Sequence, residues 1–324
     1  MPENIPSKAG TLRPSSGLIQ KIIRRQSAEE AEEKKVSLSK QALYQLMALL
    51  VAFSVIFPIL WVVSLALDPR DLSRPPDFRL IPPGASLDAF KRVLDKPTAN
   101  PVTFTELAIN QFKLAGSVAL FSVLVGVLAA YSFSRFDFKG RKALMLSVVM
   151  VLMLPSIATI APLYVLLNRI NVNFGDFEFN LRNSIWGVAV AMSSGQLPFA
   201  IWNLKGYLDT IPRELEEAAR IDGASPNQLF TKIILPLVTP ALAVTAFLGF
   251  NAGWTEFALS WQFLTDPKDF TLAMSLWNMT GQFSGDTPWS AFAAMALMVA
   301  APVAMVYLLL QKYIVSGLTI GSVK

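Results

Sequence analysis

This chain of 324 residues is 53% hydrophobic and only 16% charged, with a mean hydropathy of +0.46. A soluble domain carries about 25% charged residues, so the deficit points to a membrane. There is no cysteine and no histidine, which excludes thiolate catalysis, disulfides, Cys/His zinc sites and Ser-His-Asp triads. No glycine is followed by lysine, so a Walker A phosphate loop is absent as well. The basic excess, 28 Lys and Arg against 23 Asp and Glu, reads as membrane orientation rather than nucleic-acid binding.

Residues 1–42 form a polar tail, in which AEEAEEKK at 28–35 reads as a solvated, partly disordered segment or as a short helix lying on the membrane. The first apolar run begins only near residue 43, so a cleavable signal peptide is not expected. Six uncharged stretches follow at 43–67, 114–134, 143–167, 183–204, 233–255 and 287–311, each of 21 to 25 residues. About 20 helical residues cross a hydrocarbon core. The pattern predicts an all-α integral membrane protein with six transmembrane helices. Their full spans are 43–67, 112–134, 143–167, 183–204, 233–260 and 287–313, in a membrane domain of residues 43–315 with a C-terminal tail at 316–324.

Lys and Arg outside the uncharged stretches, leaving out Lys113, set the orientation. Eighteen lie in the two tails and in 135–142 and 205–232, against nine in 68–112, 168–182 and 256–286. The positive-inside rule therefore places both termini and residues 205–232 in the cytoplasm. The first outer loop, 68–112, is long and Pro-rich, and reads as a partly ordered cap. Prolines interrupt five spans, doubled in the third (Pro155, Pro162) and fifth (Pro236, Pro240). Each removes a backbone hydrogen bond and permits a bend. Their clustering nominates spans three and five as pathway-lining. Ser193, Ser194, Gly195 and Gln196 of span four read as close-packing residues.

Residues 209–236, DTIPRELEEAARIDGASPNQLFTKIILP, stand out as a charged corner between two spans. Thr210 is expected to cap a first helix with Pro212 in its first turn. Glu214, Glu216 and Glu217 favour the positive end of its dipole, and Gly223 stops it. Ser225, Pro226 and Gln228 restart a second helix through a capping box. Ile211, Leu215, Ala218, Ala219 and Asp222 fall on one face by spacing, a shallow plug for a socket on another protein. Further on, Asn251, Trp254 and Glu256 read either as a sugar site, with the indole as ring platform, or as an interfacial belt with a solvated carboxylate. No charged pair occupies mid-membrane, so a proton relay is not evident and the energy source lies outside this chain.

Glu217-Ala218-Ala219, three residues, Gly223, nine residues, then Ile233-Ile234-Leu235-Pro236 match the EAA motif (EAA-x3-G-x9-I-x-L-P) of ABC importer permeases at every spacing. The variant EEAARIDGAS resembles the carbohydrate branch. AYSFSRFDFKGRKALML, GYLDTIPRELEEAARIDGASP and SGLTIGSVK extend the similarity to second membrane subunits of maltose/maltodextrin-type transporters over about residues 40–324. The resemblance implies a type I ABC importer permease fold, with 212–223 as the coupling helix seated on an ATPase through Leu215, Glu217, Ala218, Ala219, Asp222 and Gly223. It also implies a homologous second permease subunit, an ATPase homodimer that carries the ATP and Mg, and an extracytoplasmic sugar-binding protein. By the same resemblance, Gly321, Ser322, Val323 and Lys324 reach the ATPase interface. The loop 261–289, with Trp261, Asp266, Lys268, Asp269 and Trp289, docks the binding protein. A self-sufficient channel or secondary carrier, and an intramembrane enzyme, are the competing classes; the enzyme lacks a nucleophile–base or metal set.

Overall fold

A computed structural model describes residues 37–73, 75, 79–174, 177–280 and 287–320. It divides into two units between Leu60 and Trp61. The first unit's described part, 37–60, is helical from Leu38 onward and largely apolar, with the Phe53 and Phe57 rings 5.7 Å apart. It belongs to helix α1, Leu38–Leu67, which starts five residues ahead of the first uncharged stretch.

Among its described residues the second unit's regular structure is helical apart from one short hairpin. In order it holds α2 (Asp88–Asp95), α3 (Phe104–Arg135), α4 (Arg141–Val151) and α5 (Ile160–Asn168). Strands β1 (Asn171–Phe174) and β2 (Phe177–Asn180) pair antiparallel with Asn171 opposite Asn180. Helices α6 (Ile185–Leu208), α7 (Glu214–Ile221), α8 (Pro226–Trp254), α9 (Ala258–Phe263), α10 (Leu272–Asn278) and α11 (Trp289–Ile320) complete it. Among the described residues five helices are long and apolar enough to cross a membrane, and six if the bent pair α4–α5 is one span.

Three elements depart from the expected boundaries. Helix α3 begins at Phe104, so the last nine residues of the supposed first loop are helix. Thr103 and Glu106 close a capping box there, with the Thr103 N–H donating to Glu106 Oε2 at 2.8 Å. Apolar counting misses this start because Glu106, Asn110 and Gln111 are polar. The third expected span is not one kinked helix but two, α4 and α5, which meet at 103°. Pro155 precedes a 3₁₀ turn at Ser156–Thr159, and Pro162 falls in the first turn of α5, where a missing N–H costs nothing. The fifth span ends at Trp254 instead of continuing to residue 260.

Helix α3 is the centre of the second unit, packed along α6 and α8, with α11 against α8. Where α3 crosses α8, Gly249 and Gly253 leave no room for a side chain. A Cβ on Gly253 would stand 2.7 Å from Ala115 Cα, and one on Gly249 would stand 3.0 Å from Ala119 Cα. This four-residue spacing of small residues lets two backbones touch. Of the residues expected to pack closely in span four, Ser193 is buried and donates to Ala189 O, Gln196 is half-buried, and Ser194 and Gly195 are exposed.

Candidate functional site

The charged corner between α6 and α8 is built as a capped helix on a buried foundation. Glu214, Glu216 and Glu217 occupy the first turn of α7. Gly223 ends it at φ +87°, with its N–H donating to Arg220 O at 3.1 Å and the Ala224 N–H to Ala219 O at 2.9 Å. That pair is a Schellman stop, and the left-handed φ is why glycine stands there. Ser225 and Gln228 then close the expected capping box at the start of α8. Just beyond, Leu229–Ile234 form a π turn immediately ahead of Pro236, which has no N–H to offer the Lys232 carbonyl.

Two details of the corner differ from expectation. Thr210 does not cap α7, because its hydroxyl donates back to Tyr207 O at the end of α6 and the cap position falls to Arg213. The plug face is also split. Ala219 and Ile211 are buried against Leu204, Leu208 and Leu229, while Leu215, Ala218 and Asp222 are exposed together with Glu217 and Ile221. Ala219 is thus part of the foundation and not of the outward face.

The foundation contains a buried ion pair that motif reasoning overlooked. Arg135, the last residue of α3, donates from Nε to Glu216 Oε1 at 2.5 Å, with both side chains 6% exposed. Its other nitrogens donate to Ile211 O at 3.1 Å and Ser134 Oγ at 3.2 Å. Ser134 Oγ donates to Asp209 Oδ1 at 2.6 Å, and Lys205 pairs with the second Asp209 oxygen at 2.5 Å. Burial works to raise the Asp209 carboxyl, but the bonds from Lys205 and Ser134 and the Arg135 charge together hold it below the usual carboxylate range. A signal existed in the Arg and Glu of SFSRF and ELEEAA, yet sequence spacing alone does not reveal that they meet.

At the other end of α6 and α8 the supposed sugar residues have structural work. Trp254 is buried, its indole N–H donates to Val299 O at 2.9 Å, and its ring stacks on Phe250 at 5.4 Å. A platform for a sugar needs an open face, so that reading of Trp254 is withdrawn. Glu256 is neither solvated nor open: it is buried and accepts the N–H groups of Leu259 at 2.6 Å and Ser260 at 3.0 Å, capping α9. Asn251 is half-buried, and its backbone carbonyl accepts from the N–H and the hydroxyl of Thr255.

Of the expected docking residues, Trp261 is exposed and Asp266 pairs with Lys268 at 2.9 Å. Asp269 is half-buried, and burial pushes its carboxyl up. These last three share a polar cleft of about 620 Å³ with Lys113, Asn183 and Trp186. The tail residues Gly321, Ser322, Val323 and Lys324 lie outside the described residues.

The family described as binding-protein-dependent transport system inner membrane component matches residues 122–320, which include the whole corner. The chain belongs to that family. Its relatives include the galactooligosaccharides transport system permease protein GanQ of Bacillus subtilis, 32% identical over 87% of this chain and 94% of that protein. The trehalose/maltose transport system permease protein MalG of Thermococcus litoralis is 35% identical, covering 88% of this chain and 97% of that one. The maltose/maltodextrin transport system permease protein MalG of Escherichia coli is 34% identical, over 86% and 94%. A chain from the crystal structure of a bacterial alginate ABC transporter, in complex with its alginate pentasaccharide-bound periplasmic protein, superposes with a TM-score of 0.57. That match is 15% identical and covers 84% of this chain and 93% of that one. The fold is therefore that of type I ABC importer permeases, and the chain is a multi-pass membrane transport subunit.

Proposed function

We propose that this chain is the permease subunit of an ATP-driven oligosaccharide importer, working by alternating access. The observation that carries the reading is the corner itself, an EAA-motif helix held on a buried foundation with Leu215, Glu217, Ala218, Asp222 and Gly223 turned outward. A short rigid helix with an exposed shallow face is suited to sit in a socket and be moved as a body. The socket belongs to a separate ATPase homodimer, which binds the ATP and Mg; this chain holds no cofactor in the reading. ATP-driven closure of the ATPases moves the corner and tilts the spans on which it is mounted.

The remaining parts follow from the same reading. Both termini and the corner face the cytoplasm of a cell with an inner membrane. A homologous second permease subunit completes the pathway, and an extracytoplasmic sugar-binding protein delivers the substrate to the loop that holds Trp261, Asp266, Lys268 and Asp269. Gly321–Lys324 extend toward the ATPases. The named relatives handle maltodextrin, trehalose and galactooligosaccharide, which supports a neutral oligosaccharide as cargo. Co-purification tests the reading. The chain is expected to bring down an ATPase subunit, and an Ala218→Lys variant to lose it because the face would bury an unpaired cation. Retention of the ATPase by that variant would count against the socket.

A further inference from the structure

We propose that α3 is a rod joining the coupling corner to the outer loop, with Arg135 at one end and Asn110 and Gln111 at the other as positioning residues. This rests on the coupling reading of the corner and adds a helix to it. By chain connectivity alone the corner pulls only on α6 and α8. Helix α3 is remote in sequence, yet Arg135 grips the corner at Glu216 and at Ile211 O, and Arg213 returns a bond to Ser134 O at 3.2 Å.

The far end of α3 is gripped as firmly. Asn110 donates to Lys268 O at 2.7 Å and to Phe270 O at 3.0 Å. Gln111 is fully buried and donates to Gly253 O and Trp254 O, both at 2.9 Å, while the Ala273 N–H donates to its Oε1 at 3.3 Å. Between the grips runs continuous helix, with no proline inside α3. Its 32 residues span about 48 Å at about 1.5 Å per residue. Along it the Gly249 and Gly253 contacts press α3 against α8 without side chains that could slide. A stiff element fixed at both ends by bonds to backbone carbonyls passes displacement instead of absorbing it. Movement of the corner therefore reaches residues 268–273, the segment proposed to meet the binding protein, and loading there reaches the corner.

The absence of cysteine makes the test direct. In the assembled transport complex, spin labels at Glu214→Cys on α7 and Leu128→Cys on α3 report the corner joint. Their separation is expected to change by less than two residues' rise, about 3 Å, between the nucleotide-free and ATP-bound complex; a larger change overturns the rod. In the same complex, Arg135→Met with Glu216→Leu keeps the joint apolar and removes the grip. It is expected to retain the ATPase and its basal hydrolysis while sugar moved per ATP falls by about tenfold or more. Asn110→Ala is expected to abolish stimulation of hydrolysis by the loaded binding protein without altering basal hydrolysis. Normal stimulation and normal sugar per ATP in both variants overturns the proposal. Should the double variant fail to assemble, the label separation in the otherwise native chain still decides. Loss of ATPase binding by the unsubstituted chain would instead strike the coupling reading itself.

Discussion

Gly223 concentrates the corner's conformational demand in one residue. Its φ of +87° is left-handed, and a β-branched side chain there costs about 1–3 kcal/mol of backbone strain. Gly223→Val is expected to insert normally in the membrane, and the complex assembled with it to hydrolyse ATP without moving sugar; coupled transport at the unsubstituted ratio would refute the role. Trp254 makes the opposite point, because what looked like a substrate residue is a core residue. Trp254→Ala removes a fully buried ring and its indole bond to Val299 O, at about 3–5 kcal/mol. Thermal unfolding in detergent is expected to show that loss, whereas weakened sugar uptake at unchanged stability would restore the platform. Asp68 supplies a pH signature. Its bond and charge pairing with Arg70 hold the carboxyl below the ordinary range, and its carbonyl accepts from Ser290 Oγ. Since the folded value is the lower one, the pair stabilises fully above the unfolded value of about 3.9 and is lost as pH falls through the folded value. Melting temperature should drop over that acid window, and Asp68→Asn should lack that component of the drop.

Elements were legible where their cause is local. Schellman glycine, capping box and uncharged length are read directly from spacing, and so the corner and the spans could be placed. Contact between distant elements is not encoded locally. Nothing in ELEEAARID says that Glu216 and Ala219 turn inward, because that choice is made by Arg135 on α3 and by Leu204 and Leu208 on α6. The same holds for Trp254 and Glu256, whose polar atoms are absorbed by α11 and α9 rather than by a ligand. The bend in the third stretch was half visible: paired prolines announce a bend, but not its angle of 103°. The inward–outward split of the alanines makes a paired prediction. Ala219→Lys places an unpaired charge among buried leucines and is expected to impair folding itself. Ala218→Lys, at an exposed position, is expected to leave the fold intact and, on the proposed function, to weaken only ATPase docking. Melting temperature and co-purification separate them, and equal behaviour of the two variants would contradict the observed facing of α7.

At the scale of the molecule, low charge content, six apolar stretches and one charged corner describe a multi-pass membrane transport subunit. The fold and the family bear out the transport reading. The buried Arg135–Glu216 pair shows how a surface helix is fastened to membrane spans: an ion pair broken on one side leaves an uncompensated buried charge, so the joint resists separation. On the proposed function, coupling of this kind makes transport conditional on a partner. Uptake of radiolabelled oligosaccharide into proteoliposomes tests that condition most directly. The chain with its second permease subunit, ATPase and binding protein is expected to accumulate sugar only when ATP is present on the ATPase side. Sugar uptake by the permease subunits without the ATPase would contradict the account and favour a self-sufficient carrier.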